Sequence, residues 1–339
     1  MRRIVVPTDQ PVCNPSIAND GDGFRVLLRS VNYRYRPNGH LAEMPIGGFQ
    51  SGTWMARLDH SLTVTGVRLI DDSRFRAGRA ARGFEDCSLF RWRGEWWFSA
   101  TVLLTMSPVS TLMALCRLNG DTVVECRFMR SPVGKPFEKN WMPLVRDDDL
   151  LWIYRIAPMK VVREGNGEDP HYEHLNEGAT KYFNWSGSSQ CVRYEGRWLC
   201  VIHFRVILLG KLTYLHAFVE LDDDLHVTRV SEPWIFEQPG IEFCAGLCLT
   251  EKSAILSYGV FDCECRIIEV PLNIVERMLR RDLASQLFIL AHRTIGTILR
   301  LPSRQVTLAE EIQTGRSELV VLRTPTHALF SNHANFLPA

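Results

Sequence analysis

A strand–turn–strand pattern recurs about five times between residues 24 and 262, and it limits the folds open to this chain more than any other feature. Each copy has a short apolar strand, a polar turn and a second strand rich in aromatic or β-branched residues. Turns such as Arg93-Gly94-Glu95 and Glu195-Gly196-Arg197 carry the glycines that tight hairpins require. The copies begin near Phe24, Cys87, Met142, Cys191 and Leu247.

The copies are separated by pairs of outer strands, such as Ala114–Phe128 and Leu215–Val230, so each repeat holds about four strands. Sheets of about four strands that recur at roughly 50 residues are typical of propeller blades. We therefore predict an all-β fold, with a five-bladed β-propeller as a catalytic domain over residues 1–272. Because the spacing is irregular, a sandwich of two packed β-sheets remains the alternative at this stage.

The pattern changes at Asn273, after which apolar residues recur at helical spacing with arginines on the opposite face. This predicts a C-terminal helical segment and tail over residues 273–339. The segment is expected to pack on the propeller or against a second subunit, in which case the protein would be a homo-oligomer.

The charge balance argues against nucleic-acid or membrane partners, because 39 basic and 38 acidic residues give a net charge of +1. Three apolar residues separate Arg3 from Pro7, which is too few for a signal peptide, and no apolar run reaches the length of a membrane span. The ten cysteines form no zinc-like pair and are typical of buried thiols in a reducing compartment. We therefore expect a cytoplasmic protein.

The ends of the inner strands of a propeller converge on its central channel, and a functional site is expected there. Charged side chains occupy such positions on the first four blades: Arg29, Asp86, Lys139 and His203. Asp86 could protonate a leaving oxygen while the cations hold an anion such as phosphate. Tyr258 and Asp262 stand at the corresponding place on the fifth blade, where substrate contact and strand-end packing are both open.

These residues belong to a series of short motifs whose order resembles that of the β-mannoside phosphorylases. With related β-mannosidases and mannosyltransferases that use a sugar nucleotide, those enzymes belong to a glycoside hydrolase family with a five-bladed β-propeller fold. The motifs fall within residues 12–272: Asn14-Pro15-Ser16, Arg29, Glu85-Asp86, Lys139-Asn140, Gly187-Ser188-Ser189, Trp198 to His203, and Tyr258 to Asp262.

The resemblance implies a role for each matched residue. Asp86 is similar to the family's general acid, which acts in an inverting reaction. Phosphate, or a phosphate-bearing donor, would be bound by Arg29, Lys139 and His203. The substrate would be bound by Asn14, Glu85, Asn140, Tyr258 and Asp262. A further arginine of the family pattern is assigned to Arg117.

The chain departs from the family pattern in two places. The acid motif reads Glu85-Asp86-Cys87-Ser88, where the family usually has Glu-Asp-Pro-Arg, so an arginine is missing beside the acid. His203 is followed by Phe204, where the family usually has glycine. Both departures leave a different substrate or acceptor open.

We therefore expect a glycosyltransferase of the glycoside phosphorylase type, which moves a mannose-type sugar to or from inorganic phosphate or a sugar phosphate with inversion. No other cofactor is expected, and His171 and His174 have no further ligands beside them that would indicate a metal. Trp54, Trp141 and Trp185 are candidates to stack on a sugar face of an oligosaccharide substrate.

Three alternatives remain open at this stage. One is a glycosyltransferase that depends on a sugar nucleotide. Another is a β-mannoside hydrolase, which would need a second carboxylate to activate water, for which Glu85, Glu242 and Asp262 are the candidates. The third is a carbohydrate-binding propeller without catalysis, which would not need Asp86.

Overall fold

The computed structural model describes residues 1–36, 41–165, 171–174, 185–208 and 211–280, together with residues 307, 308 and 312. In these ranges the chain forms five antiparallel sheets that follow one another along the sequence. Each sheet is one blade of a five-bladed β-propeller. The predicted fold is therefore confirmed, and the sandwich alternative is wrong.

The first strand of the chain, β1, spans Arg2–Ile4 and belongs to the last blade. Blade 1 consists of β2 (Val12–Asn19), β3 (Phe24–Val31), β4 (Ser51–Leu58) and β5 (Val64–Leu69). A short helix, α1 (Ser73–Arg76), leads to blade 2. Blade 2 consists of β6 (Glu85–Trp92), β7 (Glu95–Met106), β8 (Val109–Asn119) and β9 (Thr122–Met129).

Blade 3 consists of β10 (Met142–Arg146), β11 (Asp149–Ile156), β12 (Met159–Arg163) and β13 (His171–His174). Blade 4 begins with β14 (Ser186–Gly187), β15 (Val192–Tyr194), β16 (Arg197–Leu208), β17 (Lys211–Leu221) and β18 (Val227–Ser231). Blade 5 contains β19 (Glu242–Leu249), β20 (Ser253–Val260) and β21 (Glu264–Pro271). The chain then continues into α2 (Leu272–Met278) and β22 (Leu279–Arg280).

The ring closes in blade 5, where the N-terminal strand β1 pairs with β21. Arg2 lies opposite Ile267 and Ile4 opposite Cys265, so residues from the two ends of the propeller share one sheet. Ile4 is buried in an apolar cluster that also contains Ile17 and Phe24 of blade 1. The N-terminal strand therefore holds the first and last blades together.

The turns between the two inner strands follow the glycine pattern of the sequence. Arg93 and Gly94 have φ of 52° and 78°, and Glu195 and Gly196 have φ of 47° and 77°. Two successive residues with positive φ are the requirement of a type I′ turn, whose twist matches that of the flanking strands. Both predicted hairpins are confirmed.

Two hairpins are longer than the others at the end of the propeller where the inner strands begin. Strands β7 and β16 have 12 residues each, whereas β3, β11 and β20 have 8. Four extra residues of strand add about 13 Å. The β7–β8 and β16–β17 hairpins therefore project from blades 2 and 4 at this end.

The region from Asn273 contains both a helix and a strand where it is described. Ile274, Val275 and Met278 of α2 pack into the apolar core of blades 4 and 5, together with Leu308. The chain becomes extended at Leu279, and β22 pairs with the outer strand β18. The edge of β18 presents backbone N–H and C=O groups. A strand can pair with these groups, whereas a continuing helix would not. The rest of the predicted helical segment lies outside the described residues.

In the part of the chain that the structure describes, no helix is both long and apolar enough to cross a membrane.

Candidate active site

Two inner strands begin with the same irregularity, and it brings Asn14 and Asp86 together. The pairing register shifts between Cys13 and Ser16 in β2, and between Glu85 and Ser88 in β6. Asn14 and Asp86 have φ of 48° and 50°, a left-handed conformation that Asn and Asp tolerate better than most residues. Such bulges redirect a side chain. Here Asn14 Nδ2 donates a hydrogen bond to Asp86 Oδ1 at 2.7 Å.

Arg29, near the end of β3, is a buried anchor for the two acids of blade 2. It is only 4% exposed. Its Nη1 lies 3.2 Å from Asp86 Oδ1, its Nη2 lies 3.0 Å from Glu85 Oε1, and its Nε donates to Ser51 Oγ at 2.9 Å. All three nitrogen atoms of the guanidinium group therefore have protein partners. Arg29 positions Glu85 and Asp86, and this leaves it little capacity to bind a separate anion.

The two carboxyl oxygens of Asp86 differ in their hydrogen bonds. Oδ1 receives the hydrogen bonds of both Asn14 and Arg29, whereas Oδ2 has no hydrogen-bond partner within the described residues. Asp86 lines a pocket that Arg29, Glu85 and Lys139 also line. Burial raises the pKa of Glu85, and the charge of Arg29 opposes this shift. The site can thus present one oriented carboxyl oxygen to a ligand.

Asp262, in the turn between β20 and β21 of blade 5, joins this group next to blade 1. It is buried, and Tyr33 donates a hydrogen bond to its Oδ2 at 3.0 Å. Burial raises its pKa; Arg29 opposes the shift and Asp86 adds to it, so the three charges interact. The predicted convergence of blades 1, 2 and 5 is therefore observed.

Two cationic side chains, Lys139 and Arg205, approach the site from blades 3 and 4. Lys139 lines the pocket, and its Nζ lies 5.1 Å from the ring centre of Phe137. Burial lowers the pKa of Lys139, and the positive charge of Arg205 lowers it further. Arg205 lies on β16 opposite Tyr214. Burial raises the pKa of Tyr214, and the positive charge of Arg205 opposes this shift.

Arg205 is an exposed cation near the site that was not among the residues predicted from the sequence. It follows His203 by two positions, so the two side chains lie on the same face of β16. That spacing was the available signal.

His203 differs from the predicted cationic ligand. It is 3% exposed, its ring stacks on Tyr214 with centres 5.3 Å apart, and Phe243 packs edge-on at 5.1 Å. Burial lowers its pKa well below the usual value, and the charges of Lys139 and Arg205 act in the same direction. His203 is therefore neutral near pH 7, and its surroundings do not support an ion pair with phosphate.

Two further residues from the motif series lie apart from the pocket lining. Tyr258 is fully buried, stacks on Phe236 with centres 3.8 Å apart, and donates to Glu237 Oε1 at 2.6 Å. Of the two roles left open for Tyr258, these contacts favour strand-end packing. Asn140 has a φ of 62°, and its carbonyl oxygen lies 2.2 Å from where a Cβ on Gly187 would stand. Asn140 thus marks a close contact between blades 3 and 4.

Two other assignments are wrong because the side chains have partners elsewhere. Arg117 of β8 forms ion pairs with Glu95 of β7 and Glu125 of β9 in blade 2. Trp141 is 2% exposed, and its indole nitrogen donates to the buried Glu138. The aromatic residues that do line the pocket are Tyr33, Tyr35, Phe49 and Phe137.

Glu242 has a structural role that explains its burial. Its carboxylate accepts hydrogen bonds from the backbone nitrogens of Phe236, Glu237 and Gln238 at 2.8–3.1 Å. Burial raises its pKa to about 7, and the three amides oppose this shift. Glu242 therefore fixes the loop before β19. With Glu85 paired to Arg29, Asp262 remains as the second carboxylate that a hydrolase would need.

Comparison with solved structures relates this fold to sugar-processing enzymes. The β-1,2-mannobiose phosphorylase from Listeria innocua has 12% identity and a TM-score of 0.53, over 81% of this chain and 94% of its own. A glycosyl hydrolase from Bacteroides ovatus has 11% identity and a TM-score of 0.55, over 77% of this chain and 84% of its own.

A third structure belongs to work on a family of mannoside phosphorylases. That family contains glycoside hydrolases that target β-1,2-mannosidic linkages in Candida mannan. This third structure has 12% identity and a TM-score of 0.53, over 77% of this chain and 84% of its own. No family model and no curated protein sequence matches this chain. At these identities, the likeness establishes a shared fold.

Proposed function

We propose that this protein is an inverting glycoside-processing enzyme of the β-mannoside phosphorylase type, with Asp86 as the proton donor. The observation that carries the proposal is the arrangement of Asp86, with Oδ1 fixed by Asn14 and Arg29 and Oδ2 open to a pocket that Lys139 also lines. The order of the sequence motifs and the fold shared with the Listeria innocua phosphorylase support it.

In the proposed reaction, Oδ2 of Asp86 gives its proton to the glycosidic oxygen as the bond from that oxygen to the anomeric carbon breaks. A phosphate oxygen attacks the anomeric carbon from the opposite face, which yields a sugar 1-phosphate of inverted configuration and a free leaving alcohol. Several carboxyl groups in one buried site favour retention of a proton among them, because they repel one another when all are ionised. Burial raises the pKa values of Glu85 and Asp262; Arg29 opposes both shifts and Asp86 adds to both.

Lys139 and Arg205 are the proposed ligands of the phosphate. Burial and the charge of Arg205 lower the pKa of Lys139, whereas Asp86 and Glu85 raise it. A bound phosphate would add negative charge near Lys139 and Arg205 and would favour their charged forms. Because phosphate is already a nucleophile, only one essential carboxyl group is then needed, whereas a water molecule would need a second one as its base.

Hydrolysis remains the second candidate because Asp262 is present in the same channel. The two carboxyl groups of an inverting hydrolase are typically ~6.5–9.5 Å apart, which leaves room for a water molecule. Asp262 is 5% exposed and accepts a hydrogen bond from Tyr33. These contacts tie it to the protein and favour a role in holding the site.

The test compares three incubations of the enzyme: β-mannosides without phosphate, β-mannosides with phosphate, and GDP-mannose with an acceptor sugar. We expect a sugar 1-phosphate to form only when phosphate is present. Arg205→Ala should raise the KM for phosphate by at least about tenfold, because it removes a charged ligand. Arg117→Ala, which removes an arginine from an outer strand, is the matched control and should leave this KM unchanged.

Efficient release of free mannose without phosphate, unaltered in Arg205→Ala, would instead identify a hydrolase. Transfer from GDP-mannose alone would identify the sugar-nucleotide-dependent transferase.

A further inference from the structure

One side of the pocket is formed by residues of blade 2 and the loop that follows it. We name this surface the blade 2 wall, and it consists of Thr101, Leu103, Met106, Thr111 and Phe137. Alternation along β7 places Thr101 and Leu103 on one face. A register shift between Leu103 and Thr105 brings Met106 to the same side.

The wall leads outward from the acid. Thr101 lies opposite Glu85 in the sheet, next to the proposed proton donor Asp86. Leu103 and Met106 follow along β7 towards the tip of the long β7–β8 hairpin. Five residues of strand cover about 16 Å. A leaving group that extends from Asp86 towards solvent therefore lies along this surface.

The polar atoms of the wall are already engaged by the protein. The hydroxyl group of Thr111 donates to the Glu138 carbonyl at 2.7 Å and accepts from the Glu138 nitrogen at 2.9 Å. The hydroxyl group of Thr101 is directed to the sulfur of Met113 at 3.8 Å. The remaining wall residues are Leu103, Met106 and Phe137, whose side chains carry no N–H or O–H group.

The two loops that contribute Phe49 and Phe137 to the pocket also carry exposed apolar residues. Val133 is 40% exposed and belongs to the loop that carries Phe137. Met44 and Ile46 are 61% and 102% exposed and precede the pocket residue Phe49 on its loop.

We propose that the leaving-group side of this site accepts an apolar aglycone, an alkyl or aryl group, in preference to a second sugar. The inference rests on the proposed function, since it takes Asp86 as the donor to the leaving oxygen. A sugar ring against the blade 2 wall would lose hydration from its hydroxyl groups without gaining partners there, which is costly. An alkyl or aryl group gains by leaving water for the same surface.

Binding to the Asp86→Asn variant tests this preference without turnover. Isothermal titration calorimetry would compare methyl β-mannoside, hexyl β-mannoside and β-mannobiose. We expect hexyl β-mannoside to bind at least about tenfold more tightly than methyl β-mannoside, with a more negative heat capacity change from apolar burial. β-Mannobiose should show no such gain in affinity over methyl β-mannoside.

Variants of two apolar residues locate the effect. Met106→Gln keeps the length of the side chain but adds polar atoms, and it should bring the hexyl-to-methyl ratio close to one. Leu69→Gln is the matched control, because Leu69 is 57% exposed on the outer strand β5 of blade 1. It should leave the ratio unchanged.

Equal affinities for the methyl and hexyl compounds, with tighter binding of β-mannobiose, would overturn the inference and leave the proposed function intact. If no β-mannoside binds and none is turned over by the wild type, the proposed function has failed, and the inference fails with it. Dodecyl β-mannoside in phosphatidylcholine vesicles distinguishes the two sources of an alkyl aglycone. Turnover there supports a membrane glycolipid, and turnover of the hexyl compound alone supports a soluble glycoside.

Discussion

Arg29 and Lys139 carry the same charge, but their surroundings give them different roles. Arg29 is enclosed by Glu85, Asp86 and Ser51, and its charge is balanced within the protein. Lys139 lines the pocket; burial lowers its pKa, and the positive charge of Arg205 lowers it further. A buried ion pair positions its partners, whereas a pair of neighbouring cations favours an added anion. The division between anchor and ligand therefore follows from the neighbours of each residue.

The buried histidines of blade 4 give a prediction about stability and pH. His216 is fully buried, which lowers its pKa to about 3. In the unfolded chain a histidine titrates near 6.5. As the pH falls below that value, the unfolded state gains a proton that the native state does not accept, so this contribution to stability is lost. The loss is about 1.4 kcal/mol per pH unit, or roughly 2 kcal/mol at pH 5.

Urea denaturation at pH 7 and pH 5 measures the effect. Glu242 acts in the opposite direction, because its pKa is raised to about 7 and its protonation favours the native state as the pH falls. The contribution of His216 is therefore the difference in pH dependence between the wild type and His216→Phe, and we expect about 2 kcal/mol. The exposed His60, changed to Asn, serves as the control. Identical pH dependence in His216→Phe and the wild type would contradict the assignment of a neutral buried His216.

At the scale of strands, the site depends on how closely blade 5 approaches blade 1. A Cβ on Gly259 of β20 would stand 2.1 Å from Asn14 Oδ1 and 2.7 Å from the Asn14 backbone nitrogen. Asn14 in turn holds Asp86 through its Nδ2. The position of the Asp86 carboxyl group therefore depends on the absence of a Cβ at position 259, although Gly259 does not line the pocket.

We predict that Gly259→Ala lowers kcat by at least about tenfold, because Asn14 must shift and a small misplacement of a catalytic group is costly. Gly94→Ala is the matched control. Gly94 has a φ of 78°, and an added Cβ there has no neighbour within 4 Å. It should cost about 1 kcal/mol of stability and leave kcat unchanged. Equal kinetics for Gly259→Ala and the wild type would show that Asn14 does not position Asp86.

Much of the element structure follows from the sequence, and the exceptions have a common cause. The hairpins at Arg93-Gly94 and Glu195-Gly196 were predictable because their turns are encoded locally. The convergence of strand ends also predicted that Asp86 and Lys139 lie in one pocket, and both line it. The state of His203 was not predictable, because Tyr214 of β17 and Phe243 of β19 bury it and neither neighbours it in sequence.

At the scale of the whole molecule, the propeller depends on a contact between its two ends. A strand at residues 2–4 is not predictable from the local sequence, because the partner strand β21 lies some 260 positions away. Ile4 lies opposite Cys265 and is 5% exposed, whereas the next residue, Val5, is 69% exposed. Within the closing strand, Ile4 is buried in the core, whereas Arg2 and Arg3 are exposed.

We predict that Ile4→Asp destabilises the entire propeller, because a carboxylate would replace an apolar side chain in the shared core of blades 1 and 5. The expected loss is about 3 kcal/mol or more, measured as the free energy of unfolding in urea. Val5→Asp introduces the same charge at an exposed position and should change stability by no more than about 0.5 kcal/mol. Similar stabilities for the two variants would mean that β1 does not close the ring.

The central claim, that Asp86 donates the proton to the leaving oxygen, is tested most directly by the dependence of Asp86→Asn on the leaving group. The measurement compares kcat of the variant and the wild type on hexyl β-mannoside and on 2,4-dinitrophenyl β-mannoside, both with phosphate. We predict a loss of about 10²–10⁴-fold for the hexyl compound, whose leaving alkoxide needs a proton. The loss should be far smaller for dinitrophenolate, which departs without one. An equal loss on both substrates, or no loss on the hexyl compound, would contradict the assignment of Asp86 as the general acid.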